Sequence, residues 1–278
     1  MFGISRRSFL RRAGAGAAVV MAGSALGVRA AGKKMHIGVQ LYSIRNYIPS
    51  DVAGAFASIK KMGYEGVEFA GYYGRDAKTL RQLLDDSGLK CCGTHIGLNT
   101  MIGDPLKATI EFNQILGTPF LVVPSLSSKT LEGWAKYADT MNQVAGQLKP
   151  VGMAVGYHTH TAEYVPIEGQ LPMDYFFDRT GKDVIMQLDI GHCVHAKADP
   201  VAYLKKYAGR ARTVHVKDWS FTKKEYSIGD GEVPWTPVLD ALATVAGTEW
   251  YTIEEETGAF PGTLGIEKSI QGLRKLLA

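Results

Sequence analysis

After residue 34 the chain switches eight times between short apolar runs and segments of helical spacing, and few folds accommodate that rhythm. Strand-type runs fall near 35–41, 66–69, 90–96, 119–124, 151–158, 183–189, 211–217 and 249–254. Between them, helical spacing covers 51–62, 76–87, 105–116, 130–149, 199–207, 235–246 and 265–277, with a weaker helix over 170–180. Eight strand-plus-helix units over residues 31–278 predict one α/β domain, a (β/α)8 TIM barrel. The rival is an open doubly wound sheet, which wants a glycine-rich phosphate loop directly after its first strand. Here that strand runs into Tyr42-Ser43-Ile44-Arg45-Asn46, without glycine. No linker or second domain interrupts the alternation.

Residues 1–30 read differently. Ser5-Arg6-Arg7-Ser8-Phe9-Leu10-Arg11-Arg12 resembles a twin-arginine export signal. A small-residue apolar run from Ala13 to Gly27 follows, and Val28-Arg29-Ala30 fits a cleavage site after Ala30. The run is too short and weakly hydrophobic for a membrane span. The resemblance implies a periplasmic protein with no integral membrane association after cleavage. It also changes the meaning of the net charge of +4. Removing the five arginines of 1–30 from 31 basic residues leaves 26 against 27 acidic ones. A nearly neutral body gives no electrostatic case for nucleic acid. Three cysteines, Cys91, Cys92 and Cys193, form no disulfide framework and read as small buried residues in strands.

Side chains alternate along a strand, so parity assigns faces. In the first strand Ile37, Val39 and Leu41 face the helices, while His36, Gly38 and Gln40 face the barrel axis. The seventh turns Val214 and Val216 outward and Thr213, His215 and Lys217 inward. The same rule brings Glu68, His95, His158, His160, Gln187, Asp189, Thr252, Glu254 and Glu256 to the axis near the C-terminal mouth, where barrel active sites are built. Burying so many ionisable groups unpaired is very costly, so they need a common partner. A divalent cation is the simplest. Imidazoles with carboxylates suit one Mn²⁺, Fe²⁺, Co²⁺ or Zn²⁺ better than Ca²⁺.

Taken together, Gly38-Val39-Gln40-Leu41-Tyr42-Ser43, Gly66-Val67-Glu68-Phe69, Leu188-Asp189-Ile190-Gly191-His192, Val214-His215-Val216-Lys217-Asp218, the Gly229-Asp230-Gly231 turn before Trp235 and the Glu254 strand resemble the xylose isomerase-like barrels. These are the sugar phosphate isomerase/epimerase group, which includes ketose 3-epimerases, hydroxypyruvate isomerase and inosose dehydratase. The resemblance implies a metal held by Glu, Asp, His and Glu from strands five to eight. Three of these fall on Asp189, His215 and Glu254. The fourth falls on His158, a departure, within a His-rich Tyr157-His158-Thr159-His160 stretch similar to dehydratase-like members. His192 matches a substrate-contacting position, and Glu163 a further pocket acid.

The implied chemistry is proton abstraction next to a carbonyl of a keto-sugar or sugar derivative. In epimerases of the group two ligand glutamates act as opposed bases. His158 weakens that symmetry, since a nitrogen bound to metal has no lone pair left for a proton. Glu254, His160 and Glu163 remain as candidate bases, and Lys217 or His192 could polarise an oxygen or protonate a leaving group. Gln40, Glu68, His95, His192 and Trp219 are candidate substrate contacts. Isomerase/epimerase chemistry ranks first, and a lyase or dehydratase acting by β-elimination on a keto-sugar or 3-keto-glycoside second. A non-catalytic sugar-binding barrel is a further reading, with Tyr42, Phe69, Tyr72, Tyr73, Trp219 and Trp235 as stacking candidates. An abasic-site endonuclease of the same superfamily needs an Asp-x-His pair after strand seven, where Asp218-Trp219-Ser220 stands instead. The partner is therefore a small carbohydrate, phosphorylated or not, and self-association into a homo-oligomer stays open.

Overall fold

A computed structural model describes residues 35–278. The export signal expected over residues 1–30 lies outside the described residues. Eight parallel strands run as β1 (His36–Gln40), β2 (Gly66–Ala70), β3 (Lys90–His95), β4 (Phe120–Val123), β5 (Ala154–His158), β6 (Ile185–Gln187), β7 (Thr213–Val216) and β8 (Trp250–Ile253). Their order is β6-β5-β4-β3-β2-β1-β8-β7. The two end strands meet through a parallel bridge between Asp189 and His215, with His215 N–H donating to Leu188 O and Met186 N–H to Arg210 O, both at 3.0 Å. The sheet thus comes round into the expected (β/α)8 barrel, and the seam that closes it carries two candidate metal ligands.

The helices are α1 (Val52–Met62), α2 (Ala77–Ser87), α3 (Pro105–Leu116), α4 (Leu131–Leu148), α5 (Pro172–Arg179), α6 (Ile190–His195), α7 (Pro200–Lys206), α8 (Trp235–Thr244) and α9 (Leu264–Leu277). Local chemistry sets their ends. In α2 the Asp76 carboxylate accepts the Thr79 N–H at 3.0 Å, satisfying a free first-turn donor, and Gly88 stops the helix at φ 69°. Between those ends Ala77, Leu80 and Leu84 form the buried stripe. Among the described residues no helix is long and apolar enough to cross a membrane.

Parity holds around the barrel except in β3, where Cys92 and His95 both face inward. Val39, Val67, Leu121, Val155, Met186, Val214 and Tyr251 pack outward in the layer shared with the helices. The inward face changes character with depth. At the N-terminal end Cys92, Phe120, Val122, Ile185 and Trp250 form an apolar floor. Gly66 makes room for it, because a β-carbon there would lie 2.9 Å from the Trp250 ring. Polar residues take over only above that floor.

Three local expectations change. Helix α6 begins directly after Asp189, where the sequence suggested no helix before residue 199; six residues including a glycine leave too little periodicity to read. A bulge between Val67 and Glu68 shifts the β2–β3 register, so Glu68 pairs with Gly93 and Cys92 is passed over. All three cysteines are buried and free, but Cys193 lies in α6 rather than in a strand.

Candidate active site

His158 ends β5, Asp189 follows β6 by two residues, His215 is in β7, and Glu254 directly follows β8. All four are buried, and each offers one ligand atom such that the atoms lie within 4.8 Å of one another. His215 Nδ1 sits 2.9 Å from Glu254 Oε2 and 3.9 Å from Asp189 Oδ2, which in turn is 3.9 Å from His158 Nε2. Asp189 caps α6 with its other oxygen, Oδ1 accepting the His192 N–H at 2.7 Å. Its Oδ2 is buried without a hydrogen-bond donor, and so is His158 Nδ1 without a partner. A buried acceptor without a hydrogen bond costs about 1–3 kcal/mol, which the Lys217 ammonium 3.4 Å from Oδ2 offsets in part. Burial, with Glu254 adding to it, holds the Asp189 carboxyl above its usual range against the pull of Lys217 and His215. Two nitrogens and two carboxylates converging with unsatisfied atoms fit a divalent cation, which these four residues could hold.

The next layer down is fully engaged. Glu68 Oε2 accepts from His215 Nε2 at 2.6 Å and from Gln40 Nε2 at 2.8 Å, and His95 Nε2 lies 3.2 Å away. Glu68 Oε1 accepts from Gln187 Nε2 at 2.7 Å, and His95 Nε2 reaches Gln187 Oε1 at 2.7 Å. Gln40 and Glu68, expected to touch substrate, are 0 % exposed and use their polar atoms on one another, on His215 and on backbone. Burial alone would raise the Glu68 carboxyl, but neighbouring His95 and His215 hold it well below the usual range. Burial opposes charge on His215 too, yet Glu254 and Glu68 raise it to about 10. A carboxylate on Nε2 fixes the ring and leaves Nδ1 for a cation, the arrangement usual behind metal-binding histidines.

On the mouth side, Lys217 Nζ donates to Glu254 Oε2 and to His192 Nε2, each at 3.2 Å, and to Glu256, and lies 3.4 Å from Asp189 Oδ2. Burial disfavours its charge, but Asp189, Glu254 and Glu256 outweigh burial and hold it above its ordinary value. Burial and Lys217 lower His192 to about 4, so His192 is the acceptor. The His160 ring stands edge-on to His158 at 4.6 Å and lies 4.8 Å from His192, with burial and His192 lowering its basicity. Glu163 is placed otherwise than expected of a pocket acid. It is buried, accepting the Tyr157 hydroxyl on one oxygen and the His160 N–H on the other at 2.7 Å.

A cavity of ≈ 510 Å³ opens over Lys217, His192 and Glu254 and is also lined by Trp219, His195 and Tyr226. Its outer wall is the segment between β7 and α8, organised by the buried Asp218. That carboxylate accepts from the backbone N–H groups of Trp219 (2.8 Å), Gly229 (2.7 Å), Gly231 (3.2 Å) and Val233 (3.4 Å), and from Trp235 Nε1 (3.0 Å). This explains the Gly-Asp-Gly turn, since a β-carbon on Gly231 would lie 2.3 Å from Asp218 Oδ1. Of the six aromatic candidates, Trp219 lines this cavity. Phe69 and Trp235 are buried in the core, Tyr72 packs on Phe112, and Tyr42 lies under the Arg45 guanidinium. Sequence reasoning missed Asp218 as an organiser and His195 altogether. The His195 ring stacks on Trp219 at 3.6 Å and 13°. Its only signal is its place in α6, the helix that was not foreseen.

The family model for the xylose isomerase-like TIM barrel matches residues 56–276. The chain belongs to the xylose isomerase-like TIM barrel family. Among curated members, this family barrel is 26% identical over 239 residues to the inosose dehydratase of Serratia proteamaculans (strain 568), covering 70% of this chain and 78% of that one. Among solved structures, it matches a sugar phosphate isomerase/epimerase from Parabacteroides distasonis with a TM-score of 0.75 and 24% identity, covering 87% and 98% of the two chains. It matches 3-keto-D-glucoside 4-epimerase from E. coli with a TM-score of 0.62 and 19% identity, covering 87% and 100%.

Proposed function

We propose that this barrel is a metal-dependent sugar isomerase/epimerase-type enzyme that removes the proton next to the carbonyl of a keto-sugar or sugar derivative. One observation carries the reading: His158, Asp189, His215 and Glu254 are all buried and bring one ligand atom each within 4.8 Å of one another, and Glu254 lines the open cavity. The ion would be Mn²⁺, Co²⁺, Fe²⁺ or Zn²⁺, and when bound it would supply Lewis-acid polarisation of a carbonyl oxygen. Glu254 is the base. Both of its hydrogen bonds run through Oε2, and Lys217 and His215 overcome burial to keep it ionised. Lys217, whose Nζ lies 3.2 Å from Glu254 Oε2, donates to oxygen. His192, held neutral, lines the approach and relays protons, with the His160 ring 4.8 Å away.

A second reading is β-elimination from a keto-sugar or 3-keto-glycoside. It is favoured by His158 standing where a second glutamate would complete a symmetric pair of bases. One base opposite one acid suits elimination, and the curated relative named above is a dehydratase. Incubating metal-loaded protein with ketoses and 3-keto-glycosides in D₂O tests both. Metal-dependent deuterium incorporation next to the carbonyl is expected, and the product separates isomer from eliminated alkene. Absence of both exchange and product with every compound would sink both readings.

We also propose periplasmic delivery by the twin-arginine route, supported by the Arg6-Arg7 motif and the apolar run after it. Residues 1–30 fused to a folded reporter should direct its export, and replacing both arginines by lysine should stop it.

A further inference from the structure

We propose that the segment between β7 and α8 forms a second subsite beside the metal centre, shaped for the second, uncharged ring of a glycoside. This rests on the keto-sugar reading and narrows it to keto-glycosides. The cavity over Lys217 and Glu254 continues over Trp219 and Tyr226, and its ≈ 510 Å³ falls within the range of small-molecule sites. The Trp219 indole is locked in place. His195 covers one face at 3.6 Å, while Phe221 and Tyr226 meet it edge-on at 6.1 and 6.4 Å. Its Nε1–H is buried with no acceptor among the described residues. Asp218 gathers four backbone N–H groups and the Trp235 indole, so the wall is ordered before any ligand arrives, which lowers the entropy lost on binding.

Charge argues for a neutral ring rather than a phosphate. Glu254, Glu255 and Glu256 line the same cavity. Lys217 is held by Glu254 and Glu256, and Lys223 Nζ is bonded to Asp230 O at 2.5 Å. The lining holds four carboxylates, Asp218, Glu254, Glu255 and Glu256, against three lysines, Lys217, Lys223 and Lys224, so an anion would meet no net positive charge. An apolar ring face against indole matches the surface.

The test is calorimetric titration of the metal-loaded full chain with 3-keto-glucose, phenyl 3-keto-glucoside and glucosyl 3-keto-glucoside. At least one two-ring compound should bind about tenfold tighter than the single ring. Trp219→Ala should collapse that ratio, and Trp219→Phe should keep most of it while showing that the wall still folds. Equal affinity for one and two rings in the wild type, or an unchanged ratio in Trp219→Ala, overturns the subsite. Deuterium exchange measured alongside separates the two ideas. A two-ring preference without exchange or product keeps the subsite and removes the catalytic reading; exchange without preference does the reverse.

Discussion

The two sides of the His215 ring are built on opposite plans. On the Nε2 side, Glu68, Gln40, Gln187 and His95 form a closed set whose hydrogen bonds run from 2.6 to 3.2 Å, and no donor is left over at Glu68. On the Nδ1 side, equally buried groups leave Asp189 Oδ2 without a hydrogen bond, with Lys217 Nζ 3.4 Å and His158 Nε2 3.9 Å away. Burial is the same on both sides, so burial does not account for the difference. A saturated polar layer rigidifies what it touches, whereas an unsaturated one is unstable until something joins it. The contrast separates the residues that aim the site from those that would hold an ion.

The largest effect should come from removing the residue shared by both sides. His215→Ala takes away a ligand nitrogen and leaves Glu68 buried without its closest partner, a change costing about 3–5 kcal/mol where a buried pair is broken. Metal content after dialysis and solvent exchange into a keto-sugar should both fall to background. Stoichiometric metal in this variant would show that the Nδ1 side is not the binding side. Chelation of the wild-type protein should reproduce the loss of exchange and be reversed by adding metal back. Next comes Glu254→Gln, which keeps an oxygen toward the ion but removes the basic lone pair. Turnover should drop about 10²–10⁴-fold while metal stays bound. Retained activity would remove Glu254 as the base.

How much of this was legible beforehand follows from what parity can and cannot say. Alternation with period two assigns a residue to the axis or to the helices, and it places His158, Asp189, His215 and Glu254 on one face. It says nothing about height along the barrel. Gln40 and Glu68 have the same parity as the ligands, but they pair directly across β1 and β2 and spend their side chains on each other, on Gln187 and on His215, so they support instead of meeting substrate. Strand tilt and stagger set height along the barrel, and they appear only when eight strands close. The apolar floor was hidden for the same reason, since Ile185 and Trp250 share parity with Gln187 and Thr252. Loops escape parity altogether. Glu163 folds back under the His158–His160 turn, and Asp218 collects amides from residues up to fifteen positions away. Neither pattern has a local periodic signature.

A third change acts on the saturated side alone. Glu68→Gln keeps the shape but replaces the carboxylate behind His215 with a neutral amide. Partners of this kind typically contribute 10–100-fold to metal affinity. Manganese titration followed by electron paramagnetic resonance should show a loss of about that size, with the fold intact by circular dichroism. Unchanged affinity would mean that the layer below only fills space, and the contrast across His215 would lose its meaning.

The smallest effect belongs to the floor. Ile185 lies two residues before Gln187 on the same face of β6 and packs with Phe120, Val122 and Trp250. Ile185→Val removes one methyl group from a packed apolar layer and should cost about 0.5–1.5 kcal/mol. That is a fall of a few degrees in Tm for a domain of this size. Metal affinity and exchange per folded molecule should not change, because no polar atom loses a partner and the Glu68 layer stands between the floor and the ligands. A drop in metal affinity comparable to that of Glu68→Gln would show that the floor transmits strain to the site, and that depth along the axis does not insulate the ligands from packing below them.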